Sequence, residues 1–276
     1  MKYLCSMISK AKIKYIHSLE LKKNRKAEGK FVAEGPKIVG ELLAAGQASL
    51  LAATREWFEK NSPISSSIEK YEVTEEELRK ISFLQHPQMV IGVFDIPNKH
   101  STPPSITQEA YTASAAWDSS LILALDGVQD PGNLGTIIRI ADWFGITDIV
   151  CSEDTADAYN PKTVQATMGS IARTKIVYTD LSAYLESLPN ETPVYGTMLD
   201  GTDIYEQSLT HHGVIIMGNE GKGISKEITR HINHRLFIPG YPKDRPSAES
   251  LNVAIATAIT CAEFRRRSLL EDTRKE

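Results

Sequence analysis

Three segments of the sequence place polar residues or glycines directly after runs that are typical of buried strands. They are LDGVQDPGNLGTIIRIADWFG at 125–145, GVIIMGNEGKGIS at 213–225, and the stretch from FIPG at 237 to ESLNVAIATAI at 249–259. In open α/β sheets, ligands bind beyond the carboxyl ends of the strands. These three segments are therefore the first candidates for a site that binds a ligand and acts on it.

The first segment runs from a strand through a Gly/Pro turn into an amphipathic helix. On a helical wheel, Arg139 points nearly opposite the buried apolar face, beside Thr136 and Asp142, so it faces solvent or a ligand. The alternative is a surface arginine paired with Asp142, an interaction that stabilises a helix by only about 0.2–0.5 kcal/mol. Asn133, at the start of the helix, could likewise be only its cap.

The second segment contains glycines at positions 218, 221 and 223. Glycine lets the backbone approach a ligand and present its N–H groups, although tight turns need glycine as well. The phosphate-loop pattern GxxxxGK[ST] is absent, and no GxGxxG pattern follows a strand. Glu220 would repel a triphosphate, so this loop suits a ligand with hydroxyl groups or a cation.

The third segment leads into an alanine-rich helix that opens with Glu249, Ser250 and Asn252. Ser250 could be a simple N-cap, with Glu249 placed favourably against the helix dipole. The alanines along this helix are small enough to let another backbone pack against it. The sequence therefore leaves a structural and a functional interpretation of these polar residues side by side.

The composition is that of an ordinary globular protein, with 41% hydrophobic and 24% charged residues among 276. At roughly 100–200 residues per domain, this length predicts two domains. The cysteines at 5, 151 and 261 have no CxxC spacing, so we expect neither a zinc cluster nor a disulfide framework. The expected absence of disulfides fits a location in the reducing cytoplasm. The longest apolar runs are shorter than the ~20 residues that span a bilayer, and no export signal is visible.

Charge is unevenly distributed along the chain. Residues 1–30 hold nine Lys or Arg against two Glu, a local charge of +7 that leaves −11 for the remainder, since the whole chain carries −4. Clustered basic residues attract an anionic partner, as in nucleic-acid-binding proteins. A solvated helix face near the terminus is the alternative interpretation.

Two α/β patterns flank a segment rich in Pro, Ser and Thr at 97–120. We predict a first domain at 1–100, a linker at 101–119 and a second domain at 120–276. In the second domain, six apolar runs alternate with helical patterns, which predicts an α/β fold with a mainly parallel sheet covered by helices. These runs are LILALD, DIVC, KIVYT, PVYGTM, GVIIMG and RLFIP.

The first domain is predicted to be a smaller α/β unit. A basic helix through about residue 27 precedes a strand at FVAE and a helix at KIVGELLAAG, with Pro36 at the helix start. Further strands are predicted at SLLAAT and VIGVF, and further helices near REWFEK and TEEELRKI.

Taken together, the three segments resemble the SpoU family of RNA ribose methyltransferases, within the SPOUT superfamily. The patterns NxGxxxR from Asn133, GNEGxG from Gly218 and SLNV from Ser250 occur in the family order, and the resemblance covers about 120–265. EGPKIVGELL at 34–43 and HPQMVIGVF at 86–94 are weaker motifs, similar to those of the family's substrate-binding module, which resembles ribosomal protein L30e.

The resemblance implies a catalytic α/β domain whose C-terminal segment threads a deep trefoil knot, an exception to the rule that chains are unknotted. It also implies S-adenosylmethionine as the cofactor, no metal, and a homodimer with the site at the subunit interface. By motif, the residues that line the cofactor pocket would be Thr197, Met198, Gly218, Asn219, Ile238 and Leu251.

The implied reaction is methyl transfer to a ribose 2′-hydroxyl of RNA, with neither DNA nor a membrane as partner. Because such a hydroxyl is a poor nucleophile near neutral pH, a positioned base and an in-line geometry should matter most. The family pattern gives the central role to Arg139, assisted by Asn133, Glu220, Ser250 and Asn252. A guanidinium with a pKa above ~12 rarely releases its proton, so holding the target phosphate and orienting the hydroxyl is an equally good role for Arg139.

Several alternatives stay open at the level of sequence. The substrate-binding module favours ribosomal RNA, and transfer RNA is the alternative substrate. A non-catalytic RNA-binding protein with the knotted fold is one rival, and a small-molecule nucleotide enzyme, disfavoured by the missing glycine pattern, is another. The chain also departs from the family by a longer loop, GYPKDRPSAE at 240–249, which either alters the rim of the cofactor pocket or is a tolerated surface insertion.

Overall fold

The computed structural model of the chain describes residues 8–46, 48–97, 103–104, 121–242 and 248–272. It divides into two compact units, Met1–His100 with Asp157–Ala172, and Ser101–Ala156 with Arg173–Glu276. We call these the N-terminal and the C-terminal unit. Most of the predicted linker at 101–119 and the centre of the longer loop, 243–247, lie outside the described residues.

The N-terminal unit is built on a four-stranded sheet in the order β1-β4-β2-β3. Strand β4 is antiparallel to β1 and β2, whereas β3 is parallel to β2. The strands are β1 (Lys30–Glu34), β2 (Ala48–Ala53), β3 (Glu69–Glu72) and β4 (Val90–Asp95). The helices are α1 (Lys10–Ser18), α2 (Lys22–Glu28), α3 (Pro36–Ala44), α4 (Arg55–Lys60), α5 (Glu75–Ile81) and α7 (Pro161–Thr167), the last followed by a 3₁₀ turn at Ser170–Ala172.

Two details of this unit differ from the prediction. The basic segment forms two helices rather than one, because α1 ends at Ser18 and Leu21 adopts extended backbone (φ −85°, ψ 127°) before α2 begins. Strand β3 was not predicted, since its four residues EKYE are too few to show a period. The other strands and helices predicted within residues 1–100 agree with the structure, whereas α7 was not among the predicted elements.

The segment 157–172, which we predicted within the second domain, packs with the N-terminal unit. Its first residue, Asp157, pairs with Arg25 at 2.6 Å, and the guanidinium of Arg25 is only 2% exposed. A buried guanidinium needs a carboxylate partner, and removing one partner of such a pair is strongly destabilising. The ring of Tyr159 also packs on Phe31, with 4.9 Å between ring centroids.

The C-terminal unit contains a six-stranded sheet in the order β10-β8-β9-β5-β6-β7, with every paired neighbour parallel. This confirms the predicted parallel α/β fold. The strands are β5 (Leu121–Asp126), β6 (Asp148–Cys151), β7 (Lys175–Tyr178), β8 (Val194–Asp203), β9 (Gly213–Gly218) and β10 (His234–Phe237). The helices are α6 (Pro131–Trp143), α8 (Leu181–Glu186), α9 (Lys226–Thr229) and α10 (Val253–Asp272).

The central strands β5 and β9 are buried along their whole length, because helices cover both faces of the sheet. Their last residues, Asp126 and Gly218, pair with each other. The loops after these two strands therefore start side by side. No helix among the described residues is long and apolar enough to cross a membrane.

Candidate functional site

Helix α6 begins at the turn after β5, and its first turn carries Asn133. The N-cap is Asp130, whose side chain accepts the backbone N–H of Asn133 at 2.7 Å, and Pro131 lies in the first turn. Asn133 is therefore not the helix cap that the sequence left as an alternative. Its half-buried side-chain amide bonds to two other loops instead.

Helix α10 is capped by Asn252. The side-chain oxygen of Asn252 accepts the backbone N–H groups of Ala254 and Ile255 at 2.9 and 3.3 Å. The cap is not Ser250, which is exposed and precedes the helix start at Val253 by three residues. The amide nitrogen of Asn252 remains available, and it donates to the side-chain oxygen of Asn133 at 2.9 Å.

Glu220 completes this arrangement from the loop after β9. One of its carboxylate oxygens accepts the side-chain amide of Asn133 at 3.0 Å. The same carboxylate accepts longer bonds of 3.4 Å from the backbone N–H groups of Gln129 and Asp130. Asn252, Asn133 and Glu220 thus form one hydrogen-bonded series, the Asn–Asn–Glu chain, which links all three segments singled out in the sequence.

The carboxylate of Glu220 is held in its ionised form. Partial burial alone would raise its pKa, but the hydrogen bonds from Asn133 and from the surrounding backbone N–H groups outweigh burial and lower the pKa below its usual value. A carboxylate with a lowered pKa is a weak proton acceptor. The geometry of Glu220 instead suits it to orient Asn133, because its carboxylate accepts a hydrogen bond from the side-chain amide of Asn133.

The loop from 219 to 223 is closed by its own backbone and by Asn219. The N–H and C=O groups of Asn219 and Gly223 bond to each other at 3.0 and 2.9 Å. The Asn219 side chain accepts the N–H groups of Gly221 and Lys222 at 2.9 and 3.0 Å and donates to the carbonyl of Gly127 at 2.7 Å. Asn219 therefore shapes the loop that carries Glu220 and fastens it to the turn after β5.

Gly218 is needed for the same loop closure. A Cβ at this position would lie 2.4 Å from the backbone of Gly223 and Ile224. The close backbone approach that we expected around a ligand occurs here within the protein itself. The glycine is therefore already explained by packing.

Two further anchors at the carboxyl ends of the strands were not found from the sequence. Asp126, at the end of β5, is 8% exposed and accepts the backbone N–H of Ser225 at 2.6 Å. Ser152, after β6, accepts the N–H of Gly127 at 2.8 Å. The signal for Asp126 was present, since a carboxylate that directly follows five apolar residues in LILALD must find a donor once buried.

Arg139 is exposed on α6, as the helical wheel predicted. Within the described part of the chain, its side chain makes no hydrogen bond or ion pair. Asp142, the proposed surface partner, instead pairs with Arg173, whose Nη2 lies 2.8 Å from its carboxylate. The pairing of Arg139 with Asp142 is therefore wrong, and its exposed guanidinium is accessible to an anion.

The predicted cofactor residues lie within β8, at the end of β9, directly after β10 and just before α10. Thr197 and Met198 are half-buried in β8, where five residues, 197–201, bulge out of the pairing with β10. Ile238, directly after β10, is half-buried, and Leu251 is 48% exposed before α10. Thr197 donates weakly to the carbonyl of Ile216 at 3.4 Å. No bond joins Ser250 or Arg139 to the Asn–Asn–Glu chain among the described residues.

The side chains of this region are amides, carboxylates and apolar groups. Among the described residues, no group of three or more His, Cys, Asp and Glu side chains could hold a metal ion. The buried thiols of Cys151 and Cys261 have pKa values raised by burial, which leaves them protonated and unreactive. The arrangement therefore suits binding and orientation of an organic ligand beside an anion.

Two family models match this chain. Residues 120–262 match the SpoU rRNA Methylase family, and residues 10–92 match the MRM3-like substrate binding domain. The 23S rRNA (guanosine(2553)-2′-O)-methyltransferase RlmP of Bacillus subtilis (strain 168) is 32% identical over 256 residues, which cover 92% of this chain and 96% of that protein.

Solved structures give the same result. A TrmH-family protein from Porphyromonas gingivalis is 40% identical, with a TM-score of 0.83 over 95% of this chain and 100% of that one. An AdoMet-bound rRNA methyltransferase from Sinorhizobium meliloti is 30% identical, with a TM-score of 0.76 over 96% of this chain and 98% of that one. Both likenesses extend over nearly the whole chain.

Proposed function

Since this chain belongs to the SpoU rRNA methylase family, we propose that it transfers a methyl group from S-adenosylmethionine to a ribose 2′-hydroxyl of ribosomal RNA. The single observation that carries the proposal is the Asn–Asn–Glu chain, which joins the three motif segments through hydrogen bonds of 2.9 and 3.0 Å. The 2′-hydroxyl restricts the substrate to RNA.

The residues present fit the cofactor. Met198, Ile238 and Leu251 offer apolar surface to a planar ring, and Leu251 is left 48% exposed by the rest of the protein. Thr197 and the backbone of the loops after β8, β9 and β10 supply hydrogen-bonding groups for its polar parts. When bound, the cofactor supplies an electrophilic sulfonium methyl group. Glu220 and Asn133 would lie beside it, held by the bonds already described.

Arg139 has the clearest task in the proposed reaction. Its exposed guanidinium has no partner among the described residues, it always carries a charge, and it binds phosphate through a bidentate geometry. We assign it to the phosphate next to the target ribose, where it fixes the hydroxyl in line with the methyl group. Asn133 and Asn252 then hold the floor of the site, and Ser250 faces solvent where RNA would approach.

The N-terminal unit would contact the RNA through the basic helices α1 and α2. Lys10, Lys14, Lys22, Lys23 and Lys26 are exposed there. Arg25 is not part of this surface, because it is buried against Asp157. Lysines grouped on one surface attract the phosphate backbone without reading its sequence. A ribosomal RNA substrate would place the protein in the cytoplasm.

The fold and assembly of the C-terminal unit extend the proposal. The chain leaves the sheet at its edge strand β10, and α10 returns to α6 near the centre of the sheet, as the C-terminal segment of the proposed trefoil knot would. Helices α6 and α10 expose Trp143 (84%), Ile255 (52%) and, just before α10, Leu251 (48%). We assign these apolar side chains to a homodimer interface with a second copy of the chain. Sedimentation should show a dimer that Trp143→Glu converts into monomers.

A transfer assay tests the proposed function. The purified chain is incubated with methyl-labelled S-adenosylmethionine and an unmodified 23S rRNA transcript, and the label is located by nuclease digestion. We expect label on a ribose 2′-oxygen, which protects the adjacent phosphodiester from alkaline hydrolysis. Label on a base, or transfer to transfer RNA alone, would contradict the proposal.

A further inference from the structure

A groove in the N-terminal unit lies between the turn at 82–89 and helix α7. It consists of two adjoining clefts of about 330 and 370 Å³ that share Leu84 and Gln165 in their walls. Clefts of about 300–1,000 Å³ are the size that accepts small organic groups. We call this feature the α7 groove.

The turn that forms one wall is fastened at both ends. At its start, the buried carboxylate of Glu34 accepts the hydroxyl of Ser82 and, at 2.8 Å, the backbone N–H of Phe83. At its end, the carbonyl of Met89 accepts the N–H of Thr54 at 2.8 Å. These bonds hold the backbone of the turn, while the side chains in its middle stay exposed.

The opposite wall is α7. Thr163, Val164 and Thr167 are buried, and the Thr163 hydroxyl donates to the carbonyl of Asp157 at 3.0 Å. This burial leaves Lys162 and Gln165 on the side of the helix that lines the groove. Asp157 is itself paired with Arg25, and both walls belong to the N-terminal unit.

Backbone strain occurs where each wall ends. Met89 at the end of the turn and Met168 at the end of α7 have positive φ angles of 49° and 53°, which are uncommon for residues other than glycine. Such conformations cluster at functional sites. Met168 also lines the groove and is 37% exposed, so it offers an apolar surface within it.

The groove presents hydrogen-bonding groups that the protein does not use. Among the described residues, the side chains of Gln85, His86, Gln88, Lys162 and Gln165 make no hydrogen bond or ion pair. A glutamine amide can donate and accept at once, as the edges of nucleobases require, and a lysine suits a phosphate. The carboxylate in the wall, Glu34, is only 5% exposed and is occupied by its bonds to the turn.

We propose that the α7 groove binds an unpaired nucleotide of the RNA substrate, with Gln85 and Gln165 reading the edge of its base, Leu84 and Met168 contacting its face, and Lys162 holding a phosphate. This inference rests on the proposed function for the identity of the substrate. Proteins that recognise RNA by sequence take unstacked bases from single-stranded regions into pockets of this kind. The basic helices α1 and α2 would then supply affinity for the RNA backbone, and the groove would select for an unpaired nucleotide.

The test measures binding and methyl transfer separately on the full-length chain. A short single-stranded RNA and the same sequence annealed to its complement are bound to the wild type, to Gln85→Ala/Gln165→Ala and to Lys162→Ala. Lys60→Ala is the matched control, because Lys60 is an exposed lysine of the same unit, pairs with Glu56 and lines neither cleft. Thermal unfolding checks that each variant is folded.

We expect the wild type to prefer the single strand, and the double glutamine variant to lose about tenfold in affinity for the single strand only. With the 23S rRNA transcript, the same variant should raise KM by a similar factor and leave kcat and S-adenosylmethionine binding unchanged. Equal single-strand binding by wild type and variant would overturn the proposal. A wild type that binds the single strand through these glutamines but methylates no RNA would instead contradict the proposed function and leave the groove as an RNA site.

Discussion

The side-chain amide of Asn252 donates a 2.9 Å hydrogen bond to the side-chain oxygen of Asn133, which lies 119 residues earlier in the chain. Through Asn133, the start of the last helix is linked to Glu220, which accepts the other end of the same side chain at 3.0 Å. Each asparagine therefore has its amide orientation set by two partners. The geometry of the site therefore depends on hydrogen bonds between segments that are distant in sequence.

Replacing Asn133 should uncouple these segments. In Asn133→Ala, Glu220 keeps only its long backbone bonds and Asn252 loses its acceptor, so we expect kcat for methyl transfer to fall about 100-fold. The stability loss should be only about 1 kcal/mol, because the bonds are partly exposed. Steady-state kinetics and urea unfolding measure the two effects. Asn190→Ala, an exposed asparagine of the same unit, is the control and should change neither.

Arg139 and Arg173 should behave in opposite ways. Arg139→Ala is expected to reduce methyl transfer at least 100-fold without affecting the melting temperature, because the side chain binds no part of the described protein. Arg173→Ala breaks the ion pair with Asp142, which is partly exposed, and should cost less than about 1 kcal/mol of stability while turnover is retained. An Arg139→Ala enzyme with wild-type kcat would disprove the role assigned to this arginine.

The ionised state of Glu220 predicts a pH-dependent contribution to stability. Because hydrogen bonds lower its pKa in the folded state, the contribution is fully present above the unfolded-state value of about 4.3 and is lost as the pH falls through the lower folded-state value. Urea unfolding of wild type and Glu220→Gln from pH 7 down to pH 3 checks this. The stability difference between the two proteins should shrink in the acidic part of that range, and a constant difference would rule out the mechanism.

The glycines of the loop after β9 offer a matched pair of substitutions. In Gly218→Ala, the new Cβ would lie 2.4 Å from the backbone of Gly223 and Ile224, so we expect about 1–3 kcal/mol of destabilisation and loss of methyl transfer as Glu220 is displaced. In Gly221→Ala, the nearest atom is the Asn219 side-chain oxygen at 3.7 Å, an ordinary contact. That variant should be as stable as the wild type. Thermal unfolding of both variants tests whether the loop needs glycine only where a Cβ would clash with the backbone.

The pattern of the sequence was sufficient for the architecture of the C-terminal unit. Strands such as GVIIMG are apolar on both faces, and only a sheet covered on both sides can bury them, so the parallel α/β fold followed from the pattern. The resemblance of three motifs was sufficient for the family, which the matches over 120–262 and 10–92 confirm. The short strand β3 was missed because four residues carry too little periodic signal.

Tertiary structure decided which partner each polar residue has. Asp130 and Asn133, or Ser250 and Asn252, are equally good caps by residue type, and only the backbone geometry selected Asp130 and Asn252. This selection freed Asn133 for the site.

Partners distant in sequence were likewise beyond the reach of a local pattern. Asp142 pairs with Arg173 and not with Arg139. The segment 157–172 joins the N-terminal unit because its Asp157 neutralises a buried arginine far away in sequence. A one-dimensional pattern reports which face of an element is buried, but hydrogen bonds and ion pairs depend on distances of a few ångströms that exist only once the chain has folded.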